Sequence, residues 1–105
     1  MVYALRDRGR ALEDKFAYEQ TFQFRAESRR NKLLGLWAAS LIGVADAGAY
    51  AKDLVFSTLD NKAAYDIASK LRHDFDVAGV TVLDEELQTM MHDLLLDVVG
   101  EMERA

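Results

Sequence analysis

The sequence predicts an all-α fold, a four-helix bundle with a flexible N-terminal arm. Three observations carry that expectation. Proline is absent and only six glycines occur, so long helices can form without internal breaks and the glycines become informative as stops. Apolar residues recur at helical spacing in several separate stretches. Strand signals are weak, since residues 80–83 are rich in β-branched side chains but form a run of only four, and no Asn-Gly or Asp-Gly hairpin turn occurs.

Along the first helix, Leu33, Leu34, Trp37 and Leu41 form a broad apolar face that the preceding residues do not continue cleanly. At about 100° per residue, Glu19, Gln23 and Arg30 fall in the same sector as Leu12, Phe16 and Leu33. The inward face is therefore interrupted between residues 19 and 30. Phe22, Ala26 and Leu33 can reach a core, whereas residues before about 19 have no place in one. Residues 1–18 are accordingly expected as a mobile arm and residues 19–105 as the bundle.

Gly43 follows the apolar run and is expected to stop the first helix, with Gly48 in the connection after it. Ala47, Tyr50, Ala51, Leu54 and Val55 place one apolar stripe on a second helix beginning near Asp46. Ala64, Ile67, Ala68, Leu71 and Phe75 repeat the pattern after Asp60 and Asn61, residue types that accept hydrogen bonds from free amides at a helix start. Gly79 is the expected stop of that third helix. The fourth is the clearest: Leu83, Leu87, Met90, Met91, Leu94, Leu95, Val98 and Met102 carry a stripe for five turns, and Thr81 with Asp84 has the spacing of a capping box.

Composition narrows the class of function. About 100 residues suffice for a single core, and half of this chain is apolar, which excludes disorder throughout. The absence of cysteine excludes a disulfide framework, a thiolate metal site and a cysteine nucleophile. The longest apolar stretch, residues 33–41, is about half of the roughly 20 residues that a spanning helix needs. Arg6, Asp7, Arg8 and Arg10 stand where a signal peptide would carry its apolar core. A soluble, cytoplasmic protein without direct membrane insertion is expected. The formal charge of -5 divides unevenly, +3 over residues 1–43 and -8 over residues 44–105. A basic arm suits an anionic or mixed-charge partner surface, and the acidic remainder argues against wrapping nucleic acid.

Side chains for catalysis are few, and neither a catalytic residue, a metal site nor a cofactor is expected. His73 with Asp74 and Asp76 is the nearest approach to a ligand cluster, but residues one and three apart do not converge as i, i+4 pairs do. His92 sits on the polar side of the fourth helix, and Gly9 lacks the spacing of a phosphate loop. Asp84, Glu85 and Glu86 suit a helix N-terminus electrostatically. Met90, Met91 and Met102 read as core fillers, and Trp37 as a core anchor. Arg25, Arg29, Arg30 and Lys32 form a basic run in which Phe24 is the one aromatic and Glu27 intervenes; a solvated helix face fits it better than a nucleic-acid site.

The run Arg-Asn-Lys-Leu-Leu-Gly-Leu-Trp-Ala-Ala at residues 30–39 resembles the zeta subunit family of alphaproteobacterial F-type ATP synthases, small inhibitors of ATP hydrolysis by the catalytic head. Asp7, Arg8, Ala11, Glu13, Lys15, Phe16 and Ala17 match that family's N-terminal segment, and residues 50–55, Tyr-Ala-Lys-Asp-Leu-Val, its second-helix signature. The resemblance is strong over residues 7–55 and holds at the level of pattern beyond. It implies a four-helix bundle whose N-terminal segment is mobile when free. That segment would enter the interface between a catalytic and a non-catalytic subunit of the head, become helical there, and block rotation in the hydrolysis direction. It further implies a non-enzymatic regulatory protein, a monomer when free, held peripheral to the membrane through the synthase.

The arm's residues suit such insertion. Leu5, Leu12 and Phe16 lie within about 40° of one another on a helical wheel and would form an apolar ridge, flanked by Arg8 and Lys15 for acidic partner groups. With Ala11 these are the expected partner-binding residues. Gly9 stands where the family carries a charged, helix-favouring residue, and a mid-helix glycine costs about 1 kcal/mol relative to alanine. Tyr18 stands where a histidine is common, which removes one candidate for pH sensing. Two other readings compete with inhibition. One is a bundle that binds an adenine nucleotide weakly through Arg29, Arg30 or Lys32; the other is a helical adaptor with a different partner.

Overall fold

The computed structural model describes residues 2–59 and 66–104, with side chains at residue 15 and across residues 17–58 and 66–104. The chain is all-α. Four helices follow one another, α1 (Val2–Ile42), α2 (Ala47–Leu59), α3 (Ile67–Ala78) and α4 (Asp84–Arg104), and no strand occurs among the described residues.

Helix α1 is the element on which the others assemble, packing against α2, α3 and α4. Its 41 residues correspond to about 60 Å at 1.5 Å per residue, and the longest dimension of the molecule is 66 Å. It runs without a break through the stretch where its inward face carries polar groups. Glu19 and Gln23 are exposed, Gln23 donating from Nε2 to Oε1 of Glu27 at 3.1 Å. The helix ends as glycine permits: Gly43 adopts φ 84°, and the amides of Gly43 and Val44 both donate to the Ala39 carbonyl, at 2.9 and 3.1 Å.

The α1–α2 contact depends on a missing side chain. A Cβ on Gly35 would lie 2.8 Å from Ala51 Cα and 3.0 Å from Ala51 Cβ, so the two backbones approach as only glycine against alanine allows. Around that approach Leu34, Ala38 and Ala39 of α1 and Ala51 and Leu54 of α2 are buried. The core continues through Ile67, Leu71 and Phe75 of α3, Val82 of the connection and Leu87 of α4. Trp37 packs edge-on to Phe75, with ring centroids 5.8 Å apart at 81°, a favoured aromatic geometry. Leu33, expected to reach the core, is exposed instead.

Three expected boundaries are corrected. Gly48 belongs to the first turn of α2 and not to the connection: Asp46 caps that helix, its Oδ1 accepting from Ala49 N–H at 3.0 Å and its carbonyl from Tyr50 N–H at 3.1 Å. Helix α3 is capped by Asp66, whose Oδ1 accepts from Ala68 N–H at 3.0 Å; Asp60, Asn61 and Ala64 lie outside the described residues. Helix α4 begins at Asp84, with the Leu83 carbonyl accepting from Leu87 N–H at 3.0 Å, so Thr81 lies too early to act in a capping box. The buried Val82 pulls the intervening connection onto the core and delays the helix. Gly79 does stop α3, with φ 71° and Val80 N–H donating to the Phe75 carbonyl at 2.9 Å.

Candidate functional site

The segment expected to meet a partner forms the first turns of α1. Leu5, Arg8, Ala11, Leu12 and Phe16 occupy helical positions there, and their side chains lie outside the described residues. Lys15 is described and exposed, its Nζ 4.0 Å from Glu19 Oε1, a surface pair of little energetic weight. Ala17 and Tyr18 are exposed as well. The Tyr18 ring leans toward Phe22, with centroids 6.5 Å apart, and both line a shallow groove of about 310 Å³ with Ala17, Thr21 and Arg25.

Among the described side chains, Ala26 is the first buried one along α1. One turn later a polar joint ties α1 to α4. Arg30 Nε donates to Asn31 Oδ1 at 2.7 Å and Nη1 reaches the Met91 carbonyl at 3.4 Å. Burial pushes the Arg30 guanidinium below the ordinary arginine value, with Glu27 acting in the opposite direction. Asn31 is buried, so this contact satisfies a polar group that would otherwise be costly. Arg30 is thus engaged within the fold, while Arg25, Arg29 and Lys32 are exposed.

Other candidate groups fall elsewhere. Asp74 serves as a tie between α2 and α3, its Oδ2 accepting from Tyr50 Oη at 2.6 Å and from Lys70 Nζ at 3.1 Å. His73, Asp76 and His92 are exposed, and no three His, Cys, Asp or Glu among the described residues are grouped to hold a metal ion. Asp84 accepts from Arg72 Nε and Nη2 at 3.1 and 2.6 Å, which fastens the start of α4 to α3. Trp37 is half-buried; its open side borders a groove of about 660 Å³ with Leu41, Met90, Glu85, Glu86, Thr89 and Asp93. Met90 and Met91 pack against the core, as gap-filling methionines do. No described helix is long and apolar enough to cross a membrane.

These contacts account for the run at residues 30–39. Arg30 and Asn31 make the polar joint, Leu34, Ala38 and Ala39 are buried, Gly35 admits α2, and Trp37 flanks Phe75. A family model described as ATPase inhibitor subunit zeta matches residues 2–100. The chain belongs to the ATPase inhibitor subunit zeta family. No curated protein matches it. Within this zeta-family chain, the helical wheel places Arg30 on the inward face as a polar interruption, but sequence reasoning missed its contact with α4 and the close approach at Gly35. A glycine amid helix-favouring apolar residues is the signal that could have exposed the second; Arg30 gives no comparable signal, since its partner is a backbone carbonyl 61 positions away.

Proposed function

We propose that the protein is a non-enzymatic regulatory subunit that inhibits ATP hydrolysis by the catalytic head of F-type ATP synthase. The observation that carries this reading is the family match over residues 2–100. In this reading residues 1–18 are the working segment, mobile when free, and residues 19–105 hold the protein at the synthase. The segment inserts between a catalytic and a non-catalytic subunit, with Leu5, Leu12 and Phe16 as an apolar ridge and Arg8 and Lys15 beside it; Ala11 keeps the contact close. The protein then resides on the cytoplasmic face, peripheral to the membrane through its partner.

Support comes from the exposure of Lys15, Ala17 and Tyr18, which leaves that part of α1 open for contact. Further support is energetic. Fixing a segment's backbone costs about 1–2 kcal/mol per residue, so a segment completed by a partner must gain its stability from contacts there. The test compares the full chain with a version lacking residues 1–18, each added to the ATPase of the same organism. Inhibition by the full chain alone is expected. Equal effects of the two would remove the segment from the mechanism.

A further inference from the structure

Helix α1 carries a surface that starts within residues 1–18, at Lys15 and Tyr18, and continues beyond them. With Tyr18 as reference and about 100° per residue, a sector roughly 100° wide on α1 between residues 15 and 40 holds Lys15, Tyr18, Phe22, Arg25, Arg29, Lys32, Leu33, Leu36 and Ser40. Four of these nine are cations and none is a carboxylate, in a chain whose formal charge is -5. Residues 15–40 hold five cations and two carboxylates, and four of the five cations fall in this sector.

Among the described residues the sector is also largely exposed. Ala26, Leu34 and Ala38, which meet the rest of the bundle, lie outside it, and Lys15, Tyr18, Arg25, Arg29, Lys32, Leu33 and Ser40 are exposed. Tyr18 is 70% exposed and Leu33 40%, large apolar areas to leave in water on a helix already supplied with a buried face. Arg30, one position from Arg29, turns inward to Asn31 and Met91, whereas Arg25 and Arg29 make none of the hydrogen bonds or ion pairs described for this fold. Tyr18 and Phe22 stack against each other beside Arg25 and leave a shallow groove, a place where a partner side chain can lodge between an aromatic pair and a cation.

We infer that this aromatic and basic stripe of α1, from Tyr18 to Leu33, is a docking surface for an acidic protein surface with apolar patches, presented by the synthase head beside the point where residues 1–18 enter. The inference rests on the proposed inhibitory function. Two arguments fix the occupant. Charge complementarity calls for carboxylates opposite Arg25, Arg29 and Lys32. Continuity calls for the same partner, because α1 is one helix from Val2 to Ile42 and a body that holds its first turns lies alongside the next ones. The stripe then lengthens the contact beyond the inserted segment and makes attachment depend on salt.

The test uses the full chain and the synthase head of the same organism, with binding and ATPase inhibition measured in parallel at low and high salt. The variant Arg25→Glu/Arg29→Glu changes two exposed residues, and its thermal transition should match that of the parent. Its dissociation constant should rise about tenfold or more, with a flatter salt dependence, because like charges would face the partner's carboxylates. Lys52→Glu, an exposed cation on α2, serves as control and should bind within about twofold of the parent. Unchanged binding by the double variant overturns the inference while leaving inhibition by the parent intact. Failure of the parent to bind the head overturns both readings. A third arm offers vesicles of phosphatidylcholine with phosphatidylglycerol: capture that the double variant loses, with binding to the head unaltered, assigns the stripe to lipid and overturns the inference.

Discussion

Gly35 of α1 and Ala51 of α2 meet at backbone distance, with the position of a Gly35 Cβ only 2.8 Å from Ala51 Cα. Replacing Gly35 by alanine would gain about 1 kcal/mol of helix propensity, but the added methyl meets main chain rather than the end of a flexible side chain. Forcing the helices apart costs about 1–3 kcal/mol, so Gly35→Ala should destabilise the fold. Gly100→Ala is the matched comparison: only Arg104 Nη1, at 3.7 Å, stands near the added Cβ. That change should stabilise by about 0.5–1 kcal/mol. Urea unfolding of the two variants reads both, and opposite signs are expected.

Arg30 and Arg29 are sequence neighbours with different work. Arg30→Ala deprives the buried Asn31 of its donor and frees the Met91 carbonyl, for an expected loss of about 1–3 kcal/mol. Arg29→Ala removes an exposed side chain and should stay within about 0.5 kcal/mol. Thermal melts of the pair distinguish a structural Arg30 from one held ready for a phosphate; equal melting points would refute the structural role.

At the start of α3, Asp66→Ala removes the side-chain acceptor for Ala68 N–H. The expected loss is about 1 kcal/mol. Asp66→Asn retains an acceptor and should lose much less. Amide hydrogen exchange over residues 67–70 would locate the effect, and protection unaltered in Asp66→Ala would show that the cap contributes nothing.

Gly9 lies in the proposed working segment. If that segment orders only on its partner, Gly9→Ala lowers the cost of forming helix there by about 1 kcal/mol, or about fivefold in affinity. Half-maximal inhibition should therefore shift to lower concentration by that factor, with a matching gain in helical circular dichroism of the free chain. An unchanged inhibition curve would mean that ordering is not part of the binding cost.

The bundle was legible because its signals are local and repeated. The stripes on α2 and α4 place Ala51, Leu54, Leu87 and Val98 in buried positions, and Gly43 and Gly79 stop helices because a positive φ suits glycine alone among common residues. Helix starts were harder to read. Thr81 and Asp84 have capping spacing, yet burial of Val82 outweighs a cap of about 1 kcal/mol, and Asp84 is bound by Arg72 instead. That residues before about 19 lack a continuous inward face is read from the helical wheel, whereas the partner-facing role proposed for them comes from the family resemblance. Arg30 is placed inward by its angular position, but its partner stayed hidden, because that partner is a carbonyl from α4, a relationship that no helical wheel contains.

Helix α1 is at once the spine of the bundle and the bearer of the proposed inhibitory segment, without a proline along its length. Once its first turns are ordered on the proposed partner, a push delivered there meets no proline at which to bend. Load travels down the rod to the Gly35 seat and the Arg30 clasp, where yielding means tearing buried groups from their neighbours. In the proposed mechanism, the protein would then resist the torque of a far larger machine as a strut does, by compression along its own axis.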